Sequence, residues 1–327
     1  MRRPIHGLVV LVPALLLAVS LSVRAQTPTP TATPVQPIAT HAGFVLGLRA
    51  DVSMVQGESH EIVYDKFFGY TEKMSELIWD LDSIPMVGLA LSLDTPYRLS
   101  ANLGFWTAVG EGSGALDNRD WLIYSGDANW SHWSHSPVDL EEGTRWEVNL
   151  AYALLQKPCF NLKALIGYRR LFWEWADYGG FYVYSSESGF RDDIGTFDNT
   201  TGIEYEQTFE IPYLGFTTGW RGKKMAVDAY GLFSPMVSAD DEDYHVLRDI
   251  HFTESFDDGT FWALGLNARY HLTPRCYLLA GVEYQEIEEI RGSMKIDGES
   301  VPSWLGEAGI SHKSTTGTLA LGYEFGR

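Results

Sequence analysis

From residue 43 onward the dominant pattern is a period of two. In Thr144–Leu154, Trp146, Val148, Leu150 and Tyr152 share one phase, and Arg145, Glu147, Asn149 and Ala151 share the other. Cys276–Tyr284, Phe261–Leu272 and Thr316–Phe325 repeat the pattern, the last with Leu319, Leu321, Tyr323 and Phe325 in register. A period of two puts the two sets on opposite faces of a strand, whereas an amphipathic helix needs a period near 3.6. After the N-terminal segment no apolar run approaches the roughly 18 residues of a spanning helix. The chain is expected to be all-β.

Ten strand segments are predicted, at 43–57, 74–93, 97–109, 143–155, 160–177, 202–220, 225–240, 259–272, 276–294 and 312–326. Their connections alternate in length. Asp94-Thr95-Pro96, Gln156-Lys157-Pro158-Cys159, Arg221-Gly222-Lys223 and Thr273-Pro274-Arg275 are short, and 58–73, 110–142, 178–201, 241–258 and 295–311 are long. Alternation alone also permits a soluble β-sandwich. A sandwich, however, has no reason to gather its long connections at one end. A transmembrane β-barrel does, with short turns on one side, long extracellular loops on the other and apolar residues facing lipid. An even strand number suits closure, which leaves no edge unpaired in the bilayer. Pro235, late in a strand, predicts a bulge or an exit from regular pairing.

The first residues read as an address. Arg2 and Arg3 precede an apolar run from Gly7 to Ser22, and Val23-Arg24-Ala25 supplies a cleavage pattern. Residues 1–25 are therefore expected to be a signal peptide, 26–42 a Thr/Pro-rich linker, and 43–327 the barrel. Charge narrows the partners. With 43 acidic and 24 basic residues the formal charge is −19, which disfavours nucleic acid and anionic surfaces. Two cysteines cannot build a disulfide scaffold or a Cys-rich zinc site.

Acid and His residues collect in the long connections. One holds Asp117-Asn118-Arg119-Asp120-Trp121 and then Trp130-Ser131-His132-Trp133-Ser134-His135. Another holds Asp240-Asp241-Glu242-Asp243-Tyr244-His245. Asp243 and His245 are two apart, so on extended backbone both side chains leave the same face. A carboxylate beside an imidazole orients the ring and raises its basicity, which suits a general base acting on water. Asn118 and Asp120 share the spacing. The bland alternatives are a solvated acidic loop or a calcium site at Asp240–Asp243. His132 and His135 have a metal-like spacing but lack a third ligand, so no metal is expected.

The run Tyr182-Val183-Tyr184-Ser185-Ser186-Glu187-Ser188-Gly189-Phe190-Arg191-Asp192-Asp193-Ile194-Gly195-Thr196-Phe197 resembles the third-loop signature of the omptins. The likeness continues through Tyr205–Gly215 and Lys73–Trp79, and spans essentially the whole barrel region. Omptins are ten-stranded outer-membrane endopeptidases of Gram-negative bacteria. The resemblance implies that fold, that location with the active face extracellular, and peptide or protein substrates containing basic residues.

Residue by residue, the resemblance implies a water held between two walls and activated without a covalent intermediate. Asp243 and His245 match the family's Asp-x-His pair, and Asp120 matches the second residue of its Asp-x-Asp pair. The first of those aspartates falls on Asn118, which can hold water but cannot accept a proton as a carboxylate does. Asp117 could substitute through a local backbone shift, Asp120 could act alone, or proteolysis could be lost. Glu61 and Asp241 match the two acids that bind a basic side chain before the scissile bond. No cofactor is implied. Lipopolysaccharide activates the family, and of its binding positions Tyr168 is kept, whereas Arg170, Phe172 and Thr208 differ. The expected function is an aspartic-type endopeptidase acting next to basic residues. The alternative is a catalytically impaired barrel serving as an adhesin or structural surface protein.

Overall fold

The computed structural model describes residues 43–67, 70–110, 112–122, 129–300 and 305–326. The expected signal peptide (1–25) and linker (26–42) lie outside these residues. The strands are β1 (Val45–Phe67), β2 (Tyr70–Asp94), β3 (Leu99–Ala108), β4 (Gly112–Asp120), β5 (His132–Lys157), β6 (Phe160–Tyr178), β7 (Phe181–Ser186), β8 (Gly189–Thr196), β9 (Thr201–Arg221), β10 (Met225–His245), β11 (Ile250–His271), β12 (Cys276–Ile296), β13 (Glu299–Ser300) and β14 (Leu305–Phe325).

Each wall strand pairs antiparallel with its neighbours in sequence, and β1 pairs with β14 to close the sheet. β3 and β4 lie end to end between β2 and β5 and serve as one strand. Ten strands therefore form the barrel, as the alternation predicts. The β7–β8 hairpin is appended to β5, and the short β13 to β12.

A belt of outward apolar side chains marks the surface that hydrocarbon would cover. Val52, Leu89, Ile166, Leu214, Phe216, Leu264 and Leu319 are all exposed on it. The belt lies toward the short-turn end, and the strands continue well past it. Charged residues span the interior at belt height. Arg169 of β6 bonds Glu147 of β5 and Glu283 of β12, each at 2.9 Å, tying opposite walls together.

The structure changes one expectation. Much of the chain predicted as long loops is strand: β1 runs to Phe67, β5 begins at His132 and β10 runs to His245. Above the belt the outer face meets water instead of lipid, so outward residues become polar and the apolar alternation fades while the pairing persists.

Pro235 sits in a register break against both β9 and β11. Below it Leu232 and Ser234 point inward; above it Val237, Ala239, Asp241 and Asp243 do. The extra residue thus switches the inward phase from even to odd numbers. Without that switch, Asp241 and Asp243 would face out.

Candidate functional site

The upper interior is floored by stacked rings. Trp79 of β2 stacks on Tyr205 of β9 at 5.1 Å between centroids and on Trp175 of β6 at 5.8 Å. All three are at most 1% exposed. They present a rigid apolar base on which polar groups from four strands converge.

On one wall, His245 at the tip of β10 meets Asp243, Nε2 to Oδ2 at 2.7 Å. Its Nδ1 faces the guanidinium of Arg248, in the turn before β11. A guanidinium only donates and a carboxylate only accepts, so the ring carries its proton on Nε2 and presents a lone pair at Nδ1. Phe252 packs edge-on against the imidazole at 5.2 Å and fixes its plane.

Behind this pair lies a pocket of carboxyl groups. Asp241 accepts a hydrogen bond from the Tyr205 hydroxyl at 2.9 Å, and Gln207 Nε2 donates to that hydroxyl at 3.1 Å. Glu61 of β1 and Glu254 of β11 join Asp241 and Asp243, and each of the four is at most 3% exposed. Burial, then the charges of Asp243 and Asp241, pushes the Glu61 carboxyl well above the ordinary range. Burial likewise pushes Asp241 up to about 6, against the lowering contacts of Glu254 and Tyr205. One oxygen each of Glu61, Asp241 and Asp243, and both of Glu254, have no hydrogen-bond donor. Buried acceptors without donors are costly, and here they converge.

The other wall is β4. Asp120 accepts a 2.6 Å hydrogen bond from Ser75 Oγ of β2, its partner in register. Burial raises its carboxyl; the Ser75 bond, the Arg248 guanidinium and the neighbouring rings of His132 and His245 pull it back down. Asp120 and His245 therefore face each other across the groove. Asn118 shares the face of Asp120, and its buried Oδ1 has no partner.

Asp117 points the opposite way. It accepts from Trp133 Nε1 at 2.9 Å, pairs with Arg119 at 2.9 Å and lies 3.6 Å from His135, all on the outer face. Adjacent strand residues face opposite sides, so Asp117 cannot replace Asn118 without reversing β4. His132 and His135 are divided in the same way. His132 hydrogen-bonds Ser131 and packs on the Tyr184 ring, whereas His135 is on the outside with Asp117. The two cannot share a metal.

The structure thus brings together Glu61, Asn118, Asp120, Asp241, Asp243 and His245. Sequence reasoning missed Ser75, Tyr205 and Glu254. A signal for Glu254 exists, because it is a charged residue in phase with Phe252 and Phe256 on one strand. On the outer wall, Arg170 donates to Thr208 at 3.3 Å and lies 5.8 Å from the Phe172 ring.

With this geometry in view, residues 45–325 match the model of the omptin family. The plasminogen activator of Yersinia pestis is 30% identical over 281 residues, covering 84% of this chain and 88% of that protein. Protease 7 of Escherichia coli K12 is 28% identical over 287 residues, covering 85% and 90%. The structure of the outer membrane protease OmpT from Escherichia coli superposes with a TM-score of 0.80 at 25% identity, covering 86% of this chain and 97% of that one.

Proposed function

The chain belongs to the omptin family of outer-membrane proteases, and from that premise we propose that it is an endopeptidase cutting next to basic residues. The observation that carries this reading is the Asp243–His245 pair facing Asp120 across an acid-lined groove. His245 takes a proton from water through Nδ1 as the water oxygen attacks the peptide carbonyl. Asp243 holds the ring by Nε2 and steadies the imidazolium that forms. Asp120, fixed by Ser75, positions the water from the opposite wall, and the vacant Oδ1 of Asn118 accepts one of its hydrogens. The tetrahedral adduct collapses as the imidazolium returns the proton to the leaving amine. Arg248 must swing away from Nδ1 before water can enter, and its place in an exposed turn allows this.

Glu61 and Asp241 supply the acceptors for a guanidinium or ammonium group. The cation provides the donors that their buried oxygens lack and offsets their mutual repulsion. The groove is read as opening outside the cell, since the apolar belt lies toward the other end. Lipopolysaccharide is read as a weak modulator. The outer wall offers Arg170 alone among the changed positions, and that guanidinium is engaged with Thr208 and Phe172.

A second reading, an adhesin or structural surface barrel, draws on Asn118, which cannot carry the charge of the family's aspartate. One assay separates the two. The refolded barrel, with and without lipopolysaccharide, is offered a fluorogenic peptide containing Arg-Arg. Cleavage that His245→Ala reduces by roughly 10²–10⁴-fold supports the protease. No turnover by folded wild-type barrel in either condition leaves the adhesin reading.

A further inference from the structure

Two carboxyl–carboxyl contacts lie in the groove, Glu61 with Asp243 and Asp241 with Glu254. A carboxylate accepts and never donates, so such a contact is a hydrogen bond only when one partner is protonated. Glu254 is the most enclosed of the four, at 0% exposure, and neither of its oxygens receives a donor. Strand register places it directly opposite Asp241 on the inward face. Its partner on the other side is Met294 of β12, which brings no charge. The titratable groups facing the pair are Glu61 from β1, Tyr205 from β9 and Asp243 from β10, while Asp240, next to Asp241 in the chain, lies on the outward face. Each of the carboxylates among them opposes a second negative charge on the pair.

We propose that Glu254 is a positioning residue of the basic-side-chain pocket, a protonated carboxyl that donates to Asp241 and holds it as the anion that meets the substrate's cation. The proposal rests on the pocket reading above. Glu254 itself touches no substrate; it acts through Asp241, beside the Tyr205 hydroxyl bonded to the same carboxylate. Burial and the Asp241 charge both push the Glu254 carboxyl well above its usual range, which favours its carrying the proton. For Asp241, burial is the largest influence and raises it, while the Glu254 contact is the largest that lowers it. Removing the donor should therefore move Asp241 higher still. The pocket would then lose its negative charge at a pH where the wild-type pocket keeps it.

Two substitutions separate the proton from the shape. Glu254→Gln keeps a donor through its amide, and Glu254→Leu removes it at similar volume. The test measures KM and kcat against pH for a peptide with Arg before the scissile bond, together with the infrared band of protonated carboxyl groups in the folded barrel at pH 7. Wild type is expected to show a protonated-carboxyl band that Glu254→Gln diminishes by the share of one carboxyl. Glu254→Gln should keep KM within about threefold of wild type. Glu254→Leu should raise KM roughly tenfold near pH 5 with kcat unchanged, because below both midpoints a carboxyl that titrates about one pH unit higher is roughly ten times less ionised.

An unchanged band on Glu254→Gln overturns the proposal, as does a Gln variant as impaired as the Leu variant. A Leu variant with the wild-type pH profile overturns it as well. Should Glu254→Leu fail to fold, the Gln variant and the band still decide. A wild-type barrel that cuts no peptide counts against the protease reading, and the band then judges the Glu254 proton independently.

Discussion

The two walls of the groove are built to different standards of charge. The β10–β11 wall carries Asp241, Asp243 and Glu254, with the imidazole of His245 seated on Asp243 at 2.7 Å. The β4 wall offers one carboxylate, Asp120, backed by the Ser75 hydroxyl, and a neutral Asn118 with a vacant oxygen. Proton transfer needs a group that changes charge; holding water needs only acceptors and donors. On the proposed reading, the asymmetry puts the base on β10 and leaves β4 to position the water. On that reading, the amide of Asn118 leaves the means of activating water, the Asp243–His245 pair, in place.

The largest effect should come from breaking the base wall. Asp243→Asn is expected to lower kcat by roughly 10²–10³-fold, because an amide cannot steady the imidazolium, whereas Ser75→Ala on the other wall should cost about fivefold. Steady-state kinetics on one peptide would rank them, and equal losses would contradict the division of labour.

Next comes the pocket. Asp241→Asn should raise KM for an Arg peptide on the order of 10²-fold while leaving a neutral analogue unaffected, since a desolvated ion pair loses one partner. The same change should stabilise the empty barrel. Asp241 is held near 6 when folded, against 3.8 for an ordinary Asp, so the folded state binds more protons between these values. Stability from this group is present at low pH and is lost as pH rises through about 6. Wild type should accordingly resist thermal unfolding better at pH 5 than at pH 7, and Asp241→Asn should narrow that difference. A mutant with the wild-type pH slope would show that other groups set it.

Asn118→Asp sharpens the comparison from the weaker side. Restoring a carboxylate there should raise kcat by about tenfold, the worth of roughly 1.4 kcal/mol in the barrier. The smallest effect belongs to Arg248→Ala. Freeing His245 Nδ1 from an exposed guanidinium should raise kcat/KM about two- to threefold at low salt, and less as salt screens the pair.

Much of this was legible in the chain. Alternation and the short–long rhythm of connections identify a closed ten-stranded barrel, because lipid on one face and a packed interior on the other impose a strict period of two. Asp243 and His245 are legible for the same reason, being two apart on one face. The rule also decides Asp117 against Asn118, since neighbours face opposite sides. The upper strand extensions were not legible, because water on the outer face removes the apolar phase. Nor was the consequence of Pro235, whose bulge sets the phase that turns Asp241 inward. Ser75 and Glu254 escaped because their roles arise from register between strands, β2 with β4 and β10 with β11, and one strand read alone does not contain it.

On the proposed reading, this acid-lined groove cuts peptide chains beside cationic side chains. The most direct test of that reading is to incubate folded wild-type barrel with a mixed peptide library and map every product terminus by mass spectrometry. The expected result is a set of cuts confined to bonds next to Arg or Lys and absent from the His245→Ala sample. Intact peptides, cuts that ignore basic residues, or the same cuts from His245→Ala would contradict it.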